Sequence, residues 1–167
     1  LGTPDADVDT DEAWDVSTGS RDSVVAVVDS GIDYTHPDLT ANVWSAPVPF
    51  SVTIRGQLIN CPAGSHGFNA INRTCDPLDD HNHGTHVSGT IGAVGDNGEG
   101  VAGVNWTTSI MPVKWLDSNN SGFISNAIDA IEFAIQAKQV LGAGANVRVL
   151  NNSWFANSFS QAVGDQI

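Results

Sequence analysis

The sequence predicts an α/β domain with a mainly parallel sheet flanked by helices, and three observations carry that reading. Val24-Val25-Ala26-Val27-Val28 is an unbroken, largely β-branched run, the pattern of a strand buried on both faces of a parallel sheet. From Ile124 onward, Ala127, Ile128, Ile131, Ala134 and Ile135 recur at helical spacing. Strand-like and helix-like segments then alternate along the chain, as parallel strands joined by helical crossovers require. The 167 residues suit one domain. A composition of 41% hydrophobic and 15% charged residues is too apolar for intrinsic disorder.

Taken in order, residues 1–22 are acidic and read as irregular, with a short helix around Asp11 to Trp14. The valine run follows and stops at Asp29-Ser30-Gly31. A short strand is expected around Ala41 to Trp44, then a loop holding Pro47 and Pro49. His83 to Val94 reads as a helix whose small residues, Gly84, Ser88, Gly89 and Gly92, permit close packing against a neighbour. Gly95 to Gly100 is a loop. Ile110 to Leu116 is a strand in which Pro112, with no N–H, must face a gap or an edge. The helix from Ile124 is expected to take Ser121 or Ser125 as its N-cap and to end at Gly142. Asn146 to Asn152 is a further strand, and Ser158 to Ile167 begins another helix.

Charge and cysteine content exclude several classes. Nineteen acidic residues against six basic ones leave a net charge of -13. That argues against a nucleic-acid partner, which needs clustered Lys and Arg. No apolar stretch approaches the roughly 18 to 20 residues that span a bilayer. The chain opens without a basic segment followed by an apolar one, so a signal peptide is expected to have been removed already. Cys61 and Cys75 bracket a polar stretch that reads as a loop insertion. A local disulfide is favoured there over free thiols, and it implies an oxidising compartment.

The candidate chemistry begins where strands end, because parallel sheets bind ligands beyond their carboxyl edge. Asp29 sits at that edge, although a turn cap is the plainer reading of an aspartate there. His83 opens a helix in His83-Gly84-Thr85-His86. Together these segments carry a resemblance. Val27-Val28-Asp29-Ser30-Gly31-Ile32 with His36-Pro37-Asp38-Leu39 resembles the aspartate motif of the subtilisin-like serine proteases, or subtilases. His83 to Ile91 is similar to their histidine motif, and Gly100 to Val104 and Asn151-Asn152-Ser153-Trp154 follow in the expected order.

The resemblance implies a three-layer α/β/α fold and a secreted serine endopeptidase. It makes His83 the general base toward a serine hydroxyl and Asp29 the residue that holds the imidazole. His86 is expected to be structural, and Asp33 and His36 to be local hydrogen-bonders. Leu116, Ser121, Gly122, Ser153, Trp154 and Phe155 match segments that pair with an extended peptide substrate, while Trp154 and Ile124 wall an apolar pocket. Phe155 and Ala156 stand where the family has glycines. A calcium site is implied at Asp38 with Val94, Asn97, Glu99 and Val101, and Asp76, Asp79 and Asp80 are either a second, weaker site or a solvated acidic loop.

The family's serine segment and oxyanion asparagine find no match. On this reading residues 1–167 are the N-terminal portion of a catalytic domain, incomplete alone, with 55–78 a disulfide-closed insertion. A second polypeptide supplying the serine and asparagine is the expected partner, alongside protein or peptide substrates. The alternatives are an inactive fragment or pseudoprotease that binds a partner chain, and a zinc site at His81, His83 and His86, similar to that of metallo-β-lactamase-type hydrolases.

Overall fold

A computed structural model describes residues 8–155 and 160–165. Four parallel strands form the main sheet. The valine run lies in β1 (Gly19–Asp29), with β5 (Thr107–Lys114) on one side and β6 (Val147–Asn151) on the other. The two-residue β4 (Phe68–Asn69) pairs outside β5, giving the order β4-β5-β1-β6. Side chains alternate across a strand. Val24, Ala26 and Val28 accordingly join the larger core, beneath the long helix α3 (Ile124–Leu141). Val25 and Val27 turn to the other face, with Val87 and Ile91 of helix α2 (His83–Gly92). The same parity carries Asp29 to the α2 face. A fold of α3, sheet and α2 is therefore three-layered.

Pro112 shows how the sheet tolerates proline in an inner strand. Ile110 O accepts from Trp44 N at 2.7 Å and Lys114 O from Ala70 N at 2.8 Å, so alternate residues of β5 point to that outer side. Pro112 lies between the two contacts, where no backbone partner needs its missing N–H.

Several boundaries differ from expectation. β1 begins at Gly19, five residues before the valine run, as an exposed extension. Residues 40–42 form a 3₁₀ turn in place of a strand, leaving a single bridge from Val43 to Ile110. A short helix α1 (Thr10–Trp14) is present, and α2 stops two residues early, at Gly92. No serine caps α3: Phe123 occupies the cap position, and Gly142 ends the helix with φ 54°. Helix α4 spans Gln161–Gly164, with Ser160 and Asp165 at its caps; positions 158–159 and 166–167 of the expected C-terminal helix lie outside the described residues.

The expected loop insertion is largely ordered. β2 (Phe50–Ile54) and β3 (Gln57–Cys61) make an antiparallel hairpin around Arg55-Gly56. Both turn residues have positive φ, 48° and 76°, as a two-residue primed turn requires. Phe50, Val52 and Ile54 face inward, and Phe50 and Phe68 flank Phe133 of α3 at 5.9 and 4.7 Å. The Cys61–Cys75 disulfide closes the segment. Asp129 of α3, buried, receives Arg55 Nε at 2.6 Å and Arg73 Nη1 at 2.9 Å. Replacing Cys61 and Cys75 together by serine should cost about 3 kcal/mol in urea unfolding, the entropy released to a loop of this length. A loss near zero would mean that the Asp129 clamp alone fixes the segment.

Candidate active site

The carboxyl end of β1 and the first turn of α2 meet at very short range. A Cβ on Gly84 would fall 2.1 Å from the Gly31 carbonyl oxygen, and one on Gly31 would fall 2.4 Å from Pro77 O. Gly31 also has φ 108°. Only glycine permits this approach at either position. Gly84 N donates to Ser30 Oγ at 2.9 Å, and Ser30 Oγ donates to Asp79 Oδ1 at 2.9 Å.

Asp79 completes the helix start from outside it. Its Oδ2 accepts from Thr85 N at 3.0 Å and Thr85 Oγ1 at 2.6 Å, and its Oδ1 accepts from the backbone of His81 and Asn82. Thr85 Oγ1 in turn accepts from Asp33 N at 2.9 Å. Partial burial pushes the Asp79 carboxyl up, but the bonds from Thr85, His81 and Asn82 outweigh it and hold its pKa below the ordinary carboxylate value.

With the helix so placed, His83 Nδ1 lies 2.7 Å from Asp29 Oδ1. Asp29 is fully buried, and Oδ1 also accepts from Ser30 N at 2.7 Å. Oδ2 is buried without a hydrogen-bond partner among the described residues. A carboxylate only accepts, so the imidazole carries its proton on Nδ1 and leaves the Nε2 lone pair available. The His83 side chain is 34% exposed, enough for that nitrogen to meet a reactant.

His83 opens onto a cleft of about 460 Å³. All seven residues expected to touch substrate line it: Leu116, Ser121, Gly122, Ile124, Ser153, Trp154 and Phe155. Trp115 stands edge-on to Trp154, with ring centroids 4.8 Å apart. Phe155 is 86% exposed at the cleft, and Phe123, beside Gly122, is 78% exposed. Asp117 shapes the intervening loop by accepting from Asn119 N at 2.8 Å and Ser121 N at 3.1 Å. Those two bonds, the Asn119 one first, hold its carboxyl below the usual range.

Sequence reasoning missed Asn120 and Trp115 in the cleft, and it missed Lys114. Lys114 is the register partner of Asp29 and is buried. Its Nζ donates to Ser30 O, to Leu116 O at 2.8 Å and to Asp80 Oδ1 at 2.6 Å. The available signal was a lysine inside an otherwise apolar strand. His86, expected to pack, is exposed, because it lies on the solvent side of α2. Asp33 and His36 bond locally: Asp33 Oδ1 accepts from Thr35, and His36 Nδ1 accepts from Asp38 N.

The family model of the subtilase family matches residues 20–166. The chain belongs to the subtilase family. Among curated relatives, a thermophilic serine proteinase from Bacillus sp. (strain AK1) is 40% identical over 75% of this chain and 26% of its own length. Subtilisin-like protease 1 of Plasmodium berghei (strain Anka) is 34% identical over 87% of this chain and 23% of its own. The chain thus spans about a quarter of these relatives. A solved cold-adapted subtilisin-like serine proteinase shares the fold, with a TM-score of 0.58 at 23% identity over 87% of this chain and 41% of that one.

Two metal expectations meet the structure differently. Among the described residues no group of three or more His, Cys, Asp or Glu side chains is placed to hold a metal ion, and His81, His83 and His86 form no such cluster. Asp76, Asp79 and Asp80 are each engaged by separate partners: Tyr34, the α2 turn and Lys114. Asp38 is another matter. Its carboxylate is buried, and its contacts are neutral donors, Asn97 Nδ2 at 2.8 Å and Val101 N at 2.9 Å. A Cβ at Gly100 would fall 2.2 Å from Asp38 Oδ2, so the loop forms a tight cradle about it. A buried carboxylate without a cationic partner suits an oxygen-preferring cation.

Asp79→Asn should destabilise the fold by about 1–2 kcal/mol at neutral pH, as loss of a helix cap does. Because the folded-state pKa is depressed, this contribution is present above the unfolded value of about 3.9 and is lost as pH falls through the folded value. The wild-type advantage in urea unfolding should therefore shrink as the pH is taken below about 4.

Proposed function

We propose that this chain supplies the aspartate and histidine of an Asp-His-Ser triad in a serine endopeptidase. The observation that carries the reading is the 2.7 Å contact of Asp29 Oδ1 with His83 Nδ1 at the mouth of a cleft lined by all seven expected substrate residues. His83 Nε2 takes the serine proton as the hydroxyl attacks the peptide carbonyl, then returns it to the leaving amine. Asp29 fixes the Nδ1–H tautomer and stabilises the imidazolium formed on the way. The nucleophilic serine and oxyanion asparagine are placed on polypeptide outside these residues, joined to it or docked as a second chain. Support comes from the relatives, of which this chain matches only about a quarter, and from the lack of a matching serine motif within the chain.

The substrate lies extended along Leu116, Ser121-Gly122 and Ser153 to Phe155, adding backbone pairing as a strand does. An apolar side chain enters between Ile124 and Trp154. Phe155, where the family has glycine, adds an exposed ring to the edge of that groove and either narrows it or alters the loop that pairs with the peptide. The reading also includes calcium at Asp38 and the Val94, Asn97, Glu99 and Val101 loop, where it would neutralise the buried carboxylate and tie the N-terminal segments together. Secretion is consistent with the Cys61–Cys75 disulfide. Among the described residues, no helix is long and apolar enough to cross a membrane.

A fluorophosphonate probe applied to the native protein tests the triad. Label should appear on a serine outside this chain and vanish in His83→Ala, with peptide hydrolysis falling about 10⁴-fold or more. Equal labelling of the His83→Ala protein would defeat the assignment. For calcium, chelation should lower the melting temperature by several degrees, and Asp38→Asn should abolish the response. A wild-type melting temperature indifferent to chelator would remove calcium from the reading.

A further inference from the structure

Resting on that protease reading, we infer that Arg55 is a specificity-determining residue. It offers a subsite for an acidic substrate side chain upstream of the residue held between Ile124 and Trp154. The hairpin turn carrying Arg55 is pinned to the first turns of α3, whose first residue, Ile124, lines the cleft. Arg55 Nη2 donates to the carbonyl of Ser125 at 2.7 Å, one residue past Ile124, while Nε reaches Asp129 at 2.6 Å. A peptide extended past the Ile124 pocket advances about 3.3 Å per residue. On this inference the peptide runs from that pocket toward the hairpin and brings a side chain to the guanidinium within a few residues.

Two features make this position attractive to a carboxylate. Arg55 and Arg73 share the single buried carboxylate of Asp129, so two cations meet one anion there. The nearest further carboxylate along the same helix is Glu132, bonded to Gln136 Nε2 at 2.5 Å. The Arg55 side chain is still 52% exposed, and among the described residues its contacts engage Nε and Nη2 of a group with five donors. The setting adds contrast. In a chain of net charge -13 with six basic residues, Lys114 is buried, Arg21 is bonded to Ala41 O and Asn42 Oδ1 away from the cleft residues, and Lys138 and Arg148 lie in a different groove, between α3 and β6. Acidic peptides are repelled by most of this surface and welcomed at one point beside the cleft.

The test uses the active enzyme that contains this chain. A peptide series carries Asp, Ala or Lys walked through each upstream position, and kcat/KM is read for each. Asp should exceed Ala by roughly threefold to fivefold at one position only, and Lys should be disfavoured there, the scale of an exposed ion pair. The preference should fade in about 0.5 M salt, disappear in Arg55→Gln and persist in Arg55→Lys. Should Arg55→Gln fail to fold, the wild-type peptide scan and Arg55→Lys still decide. A flat profile from an enzyme that cleaves and requires His83 overturns the subsite and leaves the protease reading standing. Absence of cleavage, or cleavage undiminished in His83→Ala, overturns the protease reading and this inference with it.

Discussion

The site depends on one contact, the seating of the first turn of α2 against the carboxyl end of β1. Gly84 removes the side chain that would hold the two apart, and Gly31 lets the loop at Pro77 to Asp79, which carries the capping aspartate, close over the end of the strand. Ser30 and Asp79 then satisfy the N–H groups exposed where the helix begins. Strand parity has already turned Asp29 to the α2 face, so the Asp29–His83 distance follows from backbone packing and needs no side-chain search. The order of causes matters. The acid–imidazole pair is a consequence of two glycines and a capping aspartate, and its geometry would move with any of them before either member was itself changed.

The hairpin is fastened by a different logic. A buried carboxylate shared by two arginines is a poor source of net stability, because desolvation offsets most of the attraction. It is an effective register device, since Asp129 accepts only guanidinium groups delivered from the two ends of the inserted segment. Phe133, between Phe50 and Phe68, supplies the apolar contact. The disulfide limits how far the connecting chain can stray. Packing thus holds the hairpin on α3, while charge decides where on α3 its turn sits. That place is next to the cleft.

Much of this was legible in the sequence, for reasons that differ by element. The valine run and the periodic face of α3 are strong local patterns, and both stand where expected. The cleft residues were readable only through the resemblance, since nothing local joins Leu116 to Trp154 across the fold. The hairpin was hidden by a polar exterior: Phe50, Val52 and Ile54 alternate properly, but Arg55-Gly56 is a less familiar turn pair than Asn-Gly. The extension of β1 was obscured because Ser20 to Ser23 are exposed and polar, and only pairing defines them as strand. Asp79 and Lys114 escaped because their partners are distant in sequence. A capping residue ordinarily sits at the helix boundary; Asp79 lies six residues from Thr85 and acts after a loop has folded back. His86 was misjudged because a histidine beside a buried glycine need not share its face: two positions along a helix rotate it to solvent.

The two edges of the sheet are unequal, and one of them runs into the cleft. On the β5 side, Pro112 cannot donate and β4 lasts only two residues, so the sheet is closed to further strands. On the other side, β6 pairs only with β1 among the described residues, and Val149 is half exposed. A groove of about 530 Å³ runs between β6 and α3, with Ala134, Ile135, Val147 and Leu150 in its walls. Parallel edges with apolar side chains are unfavourable when bare, which makes β6 the less protected edge of the described sheet. The same strand leads directly into Ser153 to Phe155, the far wall of the cleft from His83. The less protected edge of the sheet is thus continuous with one wall of the cleft, so packing against β6 and the shape of the cleft are coupled through a few residues of chain.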